Sequence, residues 1–195
     1  SIGRLSGLLG ATIFFLTIFL STRPKFLEKS FGGLSKIYNF HHHLGIATVI
    51  LLLLHPASIA MAQPNVTITK VANYFDTIEN IPIQFGEAAL GMMIVLIALT
   101  LFFRPNYKNW KITHKFMGLA LGIAVIHMFT VGSDISQFAP LKIYMSAIAA
   151  VGLGSALYQV VLSRTLRKKY KYTVKSVKSI GQIVDVTLSP VKESL

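Results

Sequence analysis

The chain has 195 residues, of which 53% are hydrophobic and only 13% are charged. Soluble domains normally carry about 25% charged residues, so this composition excludes an ordinary soluble domain and indicates a membrane protein. The absence of cysteine excludes disulfides, thiolate nucleophiles, cysteine-ligated iron–sulfur clusters and covalently attached haem. The net charge is +12, and the basic residues lie between the apolar runs. This pattern is typical of loops that set membrane topology, so we favour it over a nucleic-acid-binding surface.

Five apolar runs predict five transmembrane helices in an all-α membrane bundle. The runs cover approximately residues 5–21, 44–62, 88–103, 116–131 and 139–163. The chain begins with Ser1 rather than Met, so we expect a fragment or a processed chain, and a preceding helix would make the bundle six.

The connecting segments alternate in charge, which predicts the orientation. Segments 22–43 and 104–115 each hold four Lys or Arg residues, against one and no acidic residue, and the tail from residue 164 holds eight against two. Segment 62–87 holds one basic and three acidic residues, and segment 132–142 holds one of each. The positive-inside rule therefore places the first two segments and the tail in the cytoplasm.

The tail changes character after the last helix. Residues 172–180 and 183–188 alternate between apolar and polar positions around a Gly-containing turn, which predicts a β-hairpin. A lone hairpin is marginal in water, so further strands are expected to follow. We therefore predict two domains, residues 1–168 in the membrane and residues 169–195 as the start of a soluble β-barrel.

The histidines are the strongest functional signal. All six lie in or at the mouths of the second and fourth predicted helices: His41, His42, His43, His55, His114 and His127. The spacing from His41 to His55 is about 21 Å along a helix, and that from His114 to His127 is about 19.5 Å. Both helices run outward, so the four histidines lie at two matched depths, and two stacked bis-histidine haems fit this arrangement. A proton or metal pathway and simple packing are the alternatives.

Several details qualify this arrangement. On an ideal helix the first pair falls about 40° short of four full turns and the second about 140° short, so a bend at Gly118 or Gly122 is expected. Small residues are predicted to make room for flat porphyrins: Gly45, Gly118, Ala120, Gly122 and Ala124.

Two further choices remain open. His42 is an alternative inner ligand, although His41 shares a His-x-x-apolar-Gly pattern with His114. Arg4 lies near the outer end of the first helix, where it either meets a haem propionate or extends to the interface. Arg23 is interpreted as an interfacial charge.

The chain resembles the ferric reductase-like transmembrane family, which includes NADPH oxidases and their bacterial relatives. The motifs that carry the resemblance are Gly3-Arg4-Leu-Ser-Gly7 with Arg23 after the helix, His41-x-x-Leu-Gly45 followed by His55-Pro56, and Trp110-x-x-Thr-His114-Lys115 followed by His127.

The resemblance implies two b haems, the inner one held by His41 and His114 and the outer one by His55 and His127. It makes Arg4 the partner of the outer haem and its oxidant. It implies that NAD(P)H reduces FAD in a cytosolic C-terminal domain beyond this chain, whose first strands are the predicted hairpin. Ile59 stands where NADPH oxidases carry a further histidine, so the outer acceptor, oxygen or a ferric chelate, is left open.

The expected function is therefore transmembrane electron transfer from cytosolic NAD(P)H to an outer acceptor, by a protein of the bacterial inner membrane with a cytoplasmic C-terminus. Its expected partners are the bilayer, the acceptor and its own flavin domain, with no nucleic acid. The alternative is a flavin-free haem subunit that supplies electrons to a separate periplasmic reductase.

Overall fold

The computed structural model describes residues 1–62, 67, 69, 80–103, 106–132, 134–162 and 171–191, and the chain divides into two compact units, residues 1–161 and 162–195. The helices described in the first unit are α1 (Ile2–Ser21), α2 (Lys25–Phe31), α3 (Leu34–Met61), α4 (Ile81–Phe102), α5 (Tyr107–His114), α6 (Met117–Thr130), α7 (Asp134–Gln137) and α8 (Ala139–Leu157), which continues as a π-helical turn (Tyr158–Leu162). The second unit contains strands β1 (Tyr172–Ile180) and β2 (Ile183–Pro190).

The prediction of five membrane-spanning helices is confirmed. Among the described residues, the segments long and apolar enough to cross a bilayer are α1, α3, α4, α5 together with α6, and α8 with its π-helical turn. Three of them begin well before their apolar runs, because α3 starts at Leu34, α4 at Ile81 and the fourth span at Tyr107. Their first turns mix polar residues with apolar or aromatic ones, so hydrophobicity alone does not mark where the helices begin.

Local signals in the chain account for these helix starts. Gly32 and Gly33 have φ angles of 72° and 122°, a region that favours glycine, and they end α2 immediately before α3. Asn80 and Asn106 cap α4 and α5, because their side-chain oxygens accept hydrogen bonds from backbone N–H groups three residues later.

The helices of the first unit pack as two close pairs. Helix α1 lies along α3, and α4 lies along α6, while α8 also packs on α1. Within the described part of the chain, α3 and α6 do not pack closely on each other. The histidine-bearing helices thus face each other across a space that side chains, rather than backbones, must bridge.

The buried core of this bundle is small and tightly packed. Phe15 is 1% exposed and lies against Gly152, where an added Cβ would come within 2.6 Å of the Phe15 ring. Leu121 and Met145 are fully buried nearby. Much of the remaining apolar surface points outward, which suits a protein whose solvent is a hydrocarbon layer.

A tightened turn joins α5 to α6 and changes the direction in which their side chains point. Four backbone hydrogen bonds there span three residues instead of four: Lys115 to Ile112, Phe116 to Thr113, Gly118 to Lys115 and Leu119 to Phe116. A 3₁₀ turn advances about 120° per residue rather than about 100°, so about five such residues add about 100°.

This extra rotation accounts for the angular mismatch expected between His114 and His127. It reduces the deficit from about 140° to about 40°, the value expected for His41 and His55 on an ideal helix. The adjustment begins before Gly118, at Lys115 and Phe116, and Gly122 lies within regular α6.

The second unit is a two-stranded antiparallel hairpin with a bulge at Lys175. The register shifts between Val174 and Ser176, so Val174 pairs with Leu188 and Val177 pairs with Val186. In a regular strand Val174 and Val177 would point to opposite faces, since they are three positions apart, and the bulge changes this relation. The bulge therefore keeps one face of the hairpin apolar.

Candidate functional site

The structure brings the four predicted ligands together as two facing pairs. His41 of α3 faces His114 of α5, with ring centroids 6.2 Å apart, and His55 of α3 faces His127 of α6 at 6.4 Å. The planes of the two rings are inclined by 68° in the inner pair and by 71° in the outer pair. The tightened turn after α5 allows both histidines of the fourth span to face α3.

The width of each gap matches one metal ion held by two imidazoles. An imidazole nitrogen binds a first-row metal at about 2.0 Å and lies about 1.2 Å from its ring centroid, so two imidazoles that share one metal have centroids up to about 6.4 Å apart. In the described ranges, no group of three or more His, Cys, Asp or Glu side chains could hold a metal ion. Each gap offers two nitrogen donors, a set that would suit a metal with further ligands of its own, such as haem iron.

Backbone carbonyls fix the orientation of three of the four rings. The Nδ1 atom of His41 lies 2.9 Å from the carbonyl oxygen of Thr17, that of His55 lies 2.7 Å from Gly3 O, and that of His127 lies 2.7 Å from Pro82 O. A carbonyl can only accept, so each Nδ1 must carry the proton. The Nε2 lone pair is then left for the metal, and the donated hydrogen bond increases its basicity.

Small residues on the neighbouring helices make these hydrogen bonds accessible. A helical side chain covers the turn that precedes it, so residue i+4 shields the carbonyl of residue i. The outer histidines reach the carbonyls of Gly3 and Pro82, and four residues later come Gly7 and Gly86. A Cβ added at Gly7 would come within 2.5 Å of His55 Nδ1, and one at Gly86 within 2.8 Å of the ring of His127.

His114 is oriented differently from the other three histidines. Its ring stacks on the indole of Trp110, one helical turn earlier, at 5.1 Å between centroids and 21° between planes. The contact is local because both residues belong to α5, so it could have been predicted from their spacing of four residues.

A cavity of about 380 Å³ surrounds the outer pair. Its walls come from α1, α3, α4, α6 and α7, and they are mostly apolar, with Phe14, Leu52 and Met93 among them. Ala124, one of the small residues singled out in the sequence, also lines it. This volume falls in the range usual for sites that bind small molecules and cofactors.

The other predicted small residues divide into two groups. Gly45 and Gly122 have open space where a Cβ would lie, whereas Gly118 is in contact with Ala156 of α8. Ala120 is almost completely buried, with 1% exposure. Gly118 therefore serves the packing of α6 on α8.

The remaining two histidines of the triplet do not join a facing pair. His42 and His43 are exposed, their rings contact each other at 5.9 Å, and His43 Nδ1 lies 2.7 Å from the Asn39 carbonyl of its own helix.

Both arginines of the resemblance lie at the ends of α1. Arg4 is at the rim of the outer cavity, where its Nη1 donates to the Asp134 carboxylate at 2.7 Å. Arg23 follows α1 with a φ of 56°, and its guanidinium lies over the ring of Tyr38 at 4.7 Å. Its Nε is buried and has no hydrogen-bond partner among the residues that the structure describes.

The groups that support the outer site have little signal in the sequence. Asp134 is one charge in a short segment between two helices, and nothing local connects Gly86 or Pro82 with a histidine. Gly3 and Gly7 belong to the resemblance motif, which does not show that they lie beside His55. A glycine four residues after a potential carbonyl acceptor is the one local signal, and it becomes informative only once the facing helix is known.

Comparison with known proteins agrees with the prediction of a transmembrane helical bundle. The comparison with curated proteins gives no match. Residues 6–125 match the family described as ferric reductase-like transmembrane component, and this range includes most of α1, all of α2 to α5 and part of α6. The chain therefore belongs to the ferric reductase-like transmembrane family and is an integral membrane protein of a family associated with oxidoreductases and transmembrane electron transfer.

Proposed function

We propose that this chain binds two b haems and carries electrons across a bilayer. His41 and His114 would hold the inner haem, and His55 and His127 the outer one. The observation that carries the proposal is the pair of imidazole gaps, 6.2 and 6.4 Å between centroids, each as wide as one bis-histidine iron. The haem irons supply reversible one-electron chemistry when bound.

The protein's part in this function is to hold ligands and exclude water. The Thr17, Gly3 and Pro82 carbonyls keep three imidazoles in the tautomer that exposes Nε2. Fixed rings avoid reorganisation when the iron changes oxidation state, and the apolar cavity wall keeps the outer site dry.

We place the electron donor on the side of the basic loops. The hairpin from residue 172 onward would begin the flavin-binding domain in which NAD(P)H reduces FAD, in a protein of the bacterial plasma membrane. The expected boundary between the two domains, after residue 168, lies close to the division after residue 161 but is not established by it. The hairpin favours this function over a flavin-free haem subunit.

We propose that the acceptor reacts at the outer site and is a small molecule such as oxygen or a ferric chelate. Arg4 supports this role because it lies at the rim of the cavity that contains His55 and His127. Its positive charge would act on the outer iron and on whatever approaches it.

Haem quantification tests the proposal directly. The purified chain should bind two haems, measured as the pyridine haemochrome per polypeptide, with a low-spin b-type absorption spectrum. Dithionite should reduce both haems, and oxygen or a ferric chelate should then reoxidise them. Preparations supplied with excess haem that nevertheless contain one haem or none would contradict the proposal.

A further inference from the structure

An ion pair joins α1 and α7 at the rim of the outer cavity. Arg4 lies in the first turn of α1 and Asp134 begins α7, 130 residues later, yet their side chains meet at 2.7 Å. The side chains are 63% and 40% exposed, so water and salt reach the pair. Both residues also line the cavity that contains His55 and His127.

The net charge of the side chains at this rim is less positive than Arg4 alone would make it. The charged residues that line the cavity, within the part of the chain described, are Arg4, Glu87 and Asp134. Asp134 offsets the one guanidinium at contact distance, and Glu87 adds a second carboxyl group, one of whose oxygens is buried. Counted over the described residues alone, the lining of the outer cavity therefore carries no net positive charge.

We propose that Asp134 selects the electron acceptor by neutralising Arg4, so that the outer site disfavours anionic acceptors such as ferric chelates and reacts with uncharged ones such as molecular oxygen. The inference rests on the proposed function and narrows its acceptor class. Asp134 acts through Arg4 and is a positioning residue, since it holds the guanidinium at the rim.

The physical basis is the local concentration of charged reactants. A charge in a low-dielectric mouth changes the encounter rate of an ion but not that of a neutral molecule, and salt screens the effect over about 8–10 Å. Removing the negative charge of Asp134 should therefore accelerate anions and slow cations. It should also stabilise the reduced outer haem, because Arg4 would then act on it uncompensated.

The test follows the reoxidation of the dithionite-reduced, haem-loaded chain by three probes. These are oxygen, ferricyanide with charge −3 and hexaammineruthenium(III) with charge +3, each compared with itself between variants. At low ionic strength, Asp134→Asn should increase the ferricyanide rate by about 3- to 10-fold and decrease the hexaammineruthenium rate by a similar factor. The oxygen rate should change by less than about twofold, and high salt should abolish the differences.

Two further variants make the result specific to the ion pair. Asp185→Asn removes the same charge from the hairpin, where Asp185 pairs across the strands with Lys178, and it should leave all three rates unchanged. Arg4→Gln should shift the two ionic rates in the opposite direction to Asp134→Asn, and it provides the test if that variant does not fold. Redox titration should show a raised potential for the outer haem in Asp134→Asn and an unchanged inner one.

The possible failures are distinguishable. Ferricyanide rates that are the same in wild type, Asp134→Asn and Arg4→Gln would overturn the acceptor inference while leaving electron transfer intact. An equal response to Asp185→Asn would overturn it too, because the effect would then be one of net charge. A reduced protein that none of the three probes reoxidises would overturn both the inference and the proposed outer site.

Discussion

At the scale of single residues, the imidazole of His127 reaches the backbone of α4 because residue 86 is glycine. The same relation holds between His55 and Gly7 on α1. In both helices a carbonyl acceptor is followed four residues later by a glycine, which has no side chain. The backbone of a neighbouring helix thereby fixes the orientation of each outer ring.

The first prediction uses two glycines of the same helix. Gly86→Ala should displace the ring of His127, since the new Cβ would lie 2.8 Å from it, whereas Gly91→Ala meets open space within 4 Å. We expect Gly86→Ala to reduce haem content from two to about one per chain and Gly91→Ala to keep both. Haem quantification on the two purified variants measures this, and equal haem content in both would show that the close approach does not matter.

The second prediction concerns the choice within the histidine triplet. His41→Ala should remove the inner haem and spare the outer one, because only His41 of the three faces His114. His42→Ala and His43→Ala should retain two haems, since their exposed rings contact each other. Spectra and haem counts of the three variants check this, and loss of the inner haem in His42→Ala alone would show that the ligand is His42.

At the scale of secondary-structure elements, hydrophobicity predicted that five spans exist, but it did not predict the shape of the fourth. Its apolar run from 116 to 131 gives no sign that Lys115 and Phe116 adopt a 3₁₀ turn. Such a turn depends on small differences in backbone energy that tertiary packing overrides. The spacing of 13 residues between His114 and His127 indicated only that an ideal helix would not bring both to one face. The tightened turn supplies the missing rotation.

The third prediction tests this rotational register. One alanine inserted between Gly122 and Ile123 should turn the following part of α6 by about 100° and shift it by about 1.5 Å. His127 would then leave His55 while His114 keeps its place, so we expect about one haem per chain, the inner one. The same insertion combined with deletion of Ile123 restores the register of His127, keeps Ala124 in place and should restore the second haem. Two haems in the insertion alone would show that the register is not needed.

At the scale of the whole molecule, local sequence patterns predicted which residues form the candidate site. They did not predict which groups those residues contact. The matched spacing of His41, His55, His114 and His127 follows from helical geometry alone. The carbonyls of Gly3, Thr17 and Pro82, and the Arg4–Asp134 ion pair, join positions 24 to 130 residues apart. Those contacts depend on how the helices are arranged, which one sequence does not specify.

The last prediction concerns orientation, on which the direction of electron flow depends. The chain has no cysteine, so single cysteines report membrane sidedness without background. Lys108 lies in the first turn of α5 within a strongly basic segment, and Lys142 lies in the first turn of α8 within a segment of no net charge. Because basic segments stay in the cytoplasm, an impermeant maleimide should label Lys142→Cys in intact cells and Lys108→Cys only after permeabilisation.

Lys178→Cys in the hairpin should behave like Lys108→Cys, since the tail shares the basic character of that segment. This pattern would place His41 and His114 on the donor side and His55 and His127 beside the outer acceptor. The reversed pattern would put the outer cavity and Arg4 in the cytoplasm. Arg4 and Asp134 would then face cytosolic molecules, and electrons from a donor on the hairpin side would leave toward the cytoplasm rather than enter from it.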